Sequence, residues 1–300
     1  MSEAITITIK DKEIFERCCD EFYKSLGSEN YISDLCFSNL LAWSDSLKTR
    51  RRLIHGFYCI SLEFMGKLYH YAPLGGTKGY ERVLDILCVD RRIELIMVPE
   101  VFLPVLQHLK NYKVDASYNA NYSDYIYENA SFVRLLNNPS NRYDYNHFKR
   151  HHTPLFQLID EQNRADCLRV MEKYWCSRRD CSDCHFGCER KAIQNTLTHY
   201  DAMGMSGALV YLGNEPVAFT IAKFLNPEVI AYSFLKADTR IRGLQLFLLH
   251  LFARFAHKNA IKVNFTEDMG IEGLRFFKQR LAPFSQVNKY DVVLIRIERR

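Results

Sequence analysis

The chain has 300 residues, 48% of them hydrophobic and 25% charged. This is the balance of a packed globular chain, and the length fits about two domains. It excludes a disordered, collagenous or disulfide-knotted protein. Forty basic against 35 acidic residues leave a net charge of +5, which admits phosphates or acidic partners but falls short of a nucleic-acid coat.

In chain order, residues 4–10 alternate as a short strand, and 14–23 repeat apolar residues at helical spacing. Two strands are expected at 57–64 and 67–72, joined at Met65-Gly66. A glycine-rich turn at 75–79, a helix at 80–89, a strand at 93–98 and a helix at 99–110 follow. The second half repeats that order. A hairpin spans 205–212 and 215–224 across Gly213-Asn214, and a strand covers 229–236. Then come a turn at 237–243, a helix at 244–257, a strand at 261–265, a helix at 271–280 and a last strand at 292–297. The common order suggests a duplicated α+β unit. We place the halves at 1–135 and 156–300, with 136–155, rich in Asn, Pro and basic residues, as the connection.

The N-terminus has no basic run followed by an apolar stretch, so no secretory signal is expected. The most apolar window, 244–256, is broken by Gln245, His250 and Arg254 and is too short and polar to cross a bilayer. A cytoplasmic setting is therefore expected. There the ten cysteines are buried, reduced or metal-bound rather than bridged.

The stretch 266–275 is the most informative. A strand delivers Glu267 and Asp268 to its C-terminal end, Gly270 permits a tight turn, and a helix carries Arg275. Carboxylates so placed can take a proton from an amine or hydroxyl, and an arginine can clamp a phosphate. The plainer reading is that Asp268 caps the helix and Arg275 pairs with Glu272. Before helix 244–257, Arg240, Arg242 and Gly243 can receive an anion at free backbone N–H groups. Gln245 lies at that mouth, away from a solvated stripe of His250, Arg254 and His257. The turn at 75–79 lacks phosphate-loop spacing and reads as an ordinary turn.

Cys176, Cys181, Cys184 and Cys188, with His185 among them, have the spacing of a structural zinc site, or are simply reduced thiols. The connection carries Arg142, His147, Lys149, Arg150, His151 and His152, which could meet lipid or RNA phosphates or be merely solvated. The tyrosines at 112–127 read as packing residues.

The stretch 267–275 resembles the E-D-x-G-I-E-G-L-R signature of the phosphatidylglycerol lysyltransferase C-terminal family, and 37–43 resembles its F-x-N-L-x-x-W stretch. Residues 216–219, 236–238 and Arg242-Gly243 stand in the family's order. The resemblance implies an α+β fold of two GNAT-like (acyl-CoA N-acyltransferase-like) domains in tandem. Each would be a mixed, mostly antiparallel sheet flanked by helices. It also implies transfer of an aminoacyl group from charged tRNA to an amine or hydroxyl acceptor, a lipid head group among them, with peripheral contact to anionic lipid and no required cofactor. Glu267 or Asp268 would orient or deprotonate the acceptor, and Arg275 and Lys236 would stabilise developing charge or hold a phosphate. Arg242, Gly243 and Gln245 would receive the donor. In the family's basic run Asn146 and His147 match, and Asp144-Tyr145 replace a basic pair. An acetyl-CoA donor and a zinc-stapled binding protein are the alternatives.

Overall fold

The computed structural model describes residues 4–28, 31–178, 187–257 and 259–297. The chain begins β1 (Ile5–Thr6), α1 (Lys12–Ser25), α2 (Phe37–Trp43), β2 (Arg50–Ile54), β3 (Phe57–Phe64), β4 (Lys67–His70), α3 (Tyr80–Leu87), β5 (Arg92–Pro99), α4 (Leu103–Gln107) and β6 (Tyr112–Tyr118). It continues β7 (Asp124–Glu128), α5 (Asn129–Val133), α6 (Pro139–His151), β8 (Pro154–Leu158), α7 (Asp166–Tyr174) and α8 (Glu189–Thr198). It ends β9 (Ser206–Leu212), β10 (Glu215–Phe224), β11 (Val229–Ala237), α9 (Leu244–Ala256), β12 (Lys262–Asn264), α10 (Glu272–Arg280), β13 (Ser285–Val287) and β14 (Lys289–Arg296).

Two units emerge, one of residues 1–124, 267–270 and 286–300, the other of 125–266 and 271–285. The first holds a seven-stranded sheet in the order β1-β2-β3-β4-β5-β14-β6, the second one in the order β13-β7-β12-β11-β10-β9-β8. Both follow one plan: five strands of one half run in sequence, and a strand of the other half takes the sixth place. β14 thus sits between β5 and β6, and β7 between β12 and β13. Strands β4 and β5 are parallel in the first sheet, and β11 and β12 in the second. In the first only His70 faces Leu95, and in the second Val229–Ala231 face Lys262–Asn264.

In the first unit α1 turns Phe15, Cys18, Cys19, Phe22 and Tyr23 inward at 3–4 spacing. Phe15 meets Phe37 and Tyr58, each at 5.5 Å between ring centroids. The next residue back along β3, Phe57, points to the opposite face and meets Tyr80 of α3 at 5.7 Å. In the second unit the hairpin β9–β10 turns at Gly213, whose φ of 60° is left-handed. Helix α9 buries eight of its residues, all apolar but His250, as a helix packed into a core does.

Residues 136–155, read above as a connection, contain helix α6, which lies within the second unit. Asn138 caps it by accepting from the N–H groups of Ser140 and Asn141, and Pro139 occupies the first turn. Its inward stripe is Asn141, Asp144 and Phe148, mostly polar and therefore invisible to an apolar-period test. The expected solvated stripe of α9 is corrected too. His250 and His257 are 7% and 1% exposed, and His257 packs against Phe252 at 4.3 Å. Strands β2, β6, β7, β8 and β13 lie outside the strands expected from the sequence, and the helix expected at 99–110 is only Leu103–Gln107 plus a preceding tight turn.

Candidate functional site

The signature residues 267–270 fold into the first unit. The turn is bent by left-handed backbone at Thr266 (φ 55°), Met269 (φ 52°) and Gly270 (φ 73°), conformations that cost non-glycine residues energy. Met269 N–H donates to the Asn121 carbonyl at 2.9 Å. A Cβ on Gly270 would come within 3.1 Å of the Asn121 side chain. Asp268, 1% exposed, accepts from the Gly270 N–H at 2.8 Å. It braces this turn; the α10 N-cap position belongs to Ile271.

Glu267 points toward Lys289, 3.8 Å away. The Lys289 side chain is wholly buried. It donates to Asp124 Oδ1 at 2.6 Å, to Asp34, and to Ser33 Oγ at 3.5 Å. Ser33 in turn donates its N–H and hydroxyl to Asp124 at 2.7 and 2.9 Å. One ammonium therefore faces three carboxylates. Burial alone would lower the Lys289 pKa, but Asp124, Asp34 and Glu267 outweigh it and raise it. Burial pushes the Asp34 carboxyl up to about 7; Lys289 opposes the rise, and Glu267 and Asp124 add to it. Burial, then Asp34, also raises the Tyr71 hydroxyl. The cluster can hold or release a proton near neutral pH. Sequence reasoning found Glu267 but missed Lys289, Asp34 and Asp124. The available signal was a lysine three residues ahead of the apolar run Val292–Ile295 of β14.

The other expected residues lie in the second unit. Lys236, 9% exposed on β11, pairs with Glu189 at the start of α8 at 2.8 Å and lies 4.1 Å from the centre of the Trp175 ring. It stands beyond the residues of β11 that pair with β12. Arg275 is half-buried on α10. Gln245 is half-buried in the first turn of α9, and Gly243 precedes that helix with a φ of 84°.

That turn is filled from within. A Cβ at Gly243 would lie 2.1 Å from the Asp144 carbonyl oxygen. The Asp144 carboxylate receives Arg242 and Arg280, each at 2.6 Å. Arg280 also donates to Asn141 at 3.0 Å and Ser140 at 3.2 Å. Burial would raise the Asp144 carboxyl, but its two arginines hold it below the ordinary carboxylate value. Of the connection residues, Asn146 is exposed. His147 stacks on His151 at 4.3 Å, its pKa lowered by burial and by the charges of His151 and Arg242.

Of the expected metal ligands, Cys181 and Cys184 lie outside the described residues, as does His185. Cys176 and Cys188 are half-buried. Among the described residues no cluster of three or more His, Cys, Asp or Glu side chains could hold a metal ion. No helix among them is long and apolar enough to cross a membrane.

The sequence profile described as phosphatidylglycerol lysyltransferase, C-terminal, matches residues 27–293. No curated protein matches the sequence. Among solved structures, a conserved protein of unknown function from Bacteroides thetaiotaomicron superposes with a TM-score of 0.84 at 23% identity, over 99% of this chain and 100% of that one. L-PGS from Bacillus licheniformis gives 0.60 at 12% identity over 97% and 93%. A tandem GNAT protein from the clavulanic acid biosynthesis pathway gives 0.50 at 8% identity over 99% of each chain. The fold is α+β, two GNAT-like sheets in one chain.

Proposed function

Because this chain belongs to the phosphatidylglycerol lysyltransferase C-terminal family, we propose that it moves an aminoacyl group from a charged tRNA to an amine or hydroxyl acceptor. The observation that favours this donor over acetyl-CoA is the filled turn before α9. A CoA pyrophosphate would be expected on the free N–H groups of that helix start. There the Asp144 carbonyl occupies the space above Gly243, and its carboxylate takes Arg242.

In this reading the acceptor's lone pair attacks the ester carbonyl of the aminoacyl-tRNA. The acceptor's proton passes to Glu267, the ester C–O bond breaks, and the terminal ribose oxygen leaves and is protonated. Glu267 suits the role as the most exposed carboxylate around Lys289, at 22% against 12% for Asp34 and 0% for Asp124. Asp34 on the same lysine can hold the proton near neutral pH. Asp268 keeps the turn in shape. Arg275 and Lys236, both within the second unit, are proposed as cations for the phosphates of the donor tRNA. The acceptor is an amine or hydroxyl, and a phosphatidylglycerol head group is the first to try. The zinc expected at the four cysteines is proposed as structural, outside this chemistry.

The test compares charged tRNA, uncharged tRNA and acetyl-CoA as ligands at one stated salt concentration. Transfer of labelled lysine from lysyl-tRNA to phosphatidylglycerol vesicles is then measured with wild type and Glu267→Gln. Preference for charged tRNA and a loss of roughly 10²–10⁴-fold in Glu267→Gln are expected. Saturable acetyl-CoA binding without tRNA binding, or undiminished transfer by Glu267→Gln, would overturn the reading.

A further inference from the structure

Strand β2 carries three consecutive arginines, and alternation sends the middle one to the opposite face from its neighbours. Arg51 is answered there by Asp11 at 2.7 Å. Arg50 and Arg52 make no ion pair among the described residues, and both line a cavity of about 280 Å³ in the first unit. Its size lies just under the range of small-molecule sites, about 300–1,000 Å³.

The strand register builds the floor. Arg50 stands opposite Ser61 of β3, and Ser61 opposite His70 of β4, so guanidinium, hydroxyl and imidazole form one row across three strands. Arg52 stands one step on, opposite Cys59. His70 is 7% exposed, and its Nδ1 is buried without a hydrogen-bond partner. Such an atom costs free energy unless something binds it. The remaining charged lining residues, Lys48 and Glu63, neutralise each other at 3.1 Å. The cavity therefore keeps the two arginine charges uncompensated, beside a hydroxyl and an unsatisfied imidazole nitrogen.

We propose that this cavity is an anion site for a phosphate group, free or as a small monoester, held by Arg50 and Arg52 with Ser61 and His70 beneath. Two guanidiniums match a phosphate dianion in charge and in paired N–H geometry. Burial, with Arg52 adding to it, lowers the His70 pKa to about 4. The ring is thus neutral at physiological pH and leaves the charge matching to the arginines. This site is independent of the transfer chemistry proposed above and shares no residue with it.

The test is calorimetric titration of the full chain with inorganic phosphate at low ionic strength and pH 7.5. The His70 imidazole resonances are followed by NMR in the same series. Saturable binding with movement of the His70 signals is expected, with affinity at least tenfold weaker in Arg50→Gln/Arg52→Gln at unchanged melting temperature. No saturable His70 movement in wild type, or equal affinity in the double variant, would overturn the proposal. Wild type alone decides it if the double variant fails to fold. Tighter binding of glycerol 3-phosphate than of phosphate would assign the site to a monoester, and the reverse order to the free anion.

Discussion

Lys289 donates to Asp124 at 2.6 Å, and neither side chain is exposed to solvent. The two residues are 165 positions apart. Lys289 opens β14 and Asp124 opens β7, the two strands that take the sixth place in the sheets. The bond thus marks the points where the chain leaves the sheet of its own half, and Glu267 of the signature sits on the same ammonium.

Replacing Lys289 by Met should destabilise the protein by about 3–5 kcal/mol, because removing one partner leaves buried carboxylates uncompensated. The urea midpoint of Lys289→Met measures this. Adding Asp124→Asn to that variant should restore part of the loss, since one stranded charge is then gone. A double variant no more stable than the single would count against the charge explanation.

The Asp34 carboxyl, raised to about 7 from an ordinary 3.8, binds its proton more tightly in the folded state than in the unfolded state. The stabilisation it gives is complete below pH 4 and is lost as pH rises toward 7. The slope is at most about 1.4 kcal/mol per pH unit. Asp34→Asn cannot titrate, so its stability relative to wild type should improve steadily from pH 4 to 7. Chemical denaturation across that window reads the difference, and a constant gap would contradict it.

Gly243 and Gly213 both have left-handed backbone, at φ 84° and 60°. A Cβ at Gly213 meets nothing within 4 Å, whereas one at Gly243 meets the Asp144 carbonyl at 2.1 Å. Gly213→Ala should cost on the order of 1 kcal/mol from backbone strain. Gly243→Ala should cost at least about 2 kcal/mol more, because α6 must move. Equal melting temperatures for the two variants would show that α6 does not press on this turn.

Much of this architecture could be read from the residues. The β3–β4 and β9–β10 hairpins, α3, β5, α9 and α10 all announce themselves by apolar period, glycine turns or both. What escaped has a common physical cause. Helix α6 buries Asn141 and Asp144, and β14 buries Lys289, so their inward faces are polar and mimic solvated segments. Asn138-Pro139 was the available sign of α6. The same masking applies to the candidate site. Glu267, Asp268 and Arg275 stand in a compact motif, but the groups that set the environment of Glu267 come from residues 34, 124 and 289, and nothing in linear spacing joins them. Lys236 was found from its place in the family's order, yet its partners Trp175 and Glu189 lie on either side of the cysteine cluster, and nothing in linear spacing joins them to it.

The exchange of sixth strands has a consequence for synthesis. A ribosome that has made residues 1–285 has not yet made β14, the strand that bonds to both β5 and β6. Until then those two strands present unpaired edges, the kind of surface that invites wrong partners. The first unit thus waits on residues 289–296, and a protein cut between its halves would strand one strand on each side. Nascent chains halted before residue 289 should be the ones that chaperones hold.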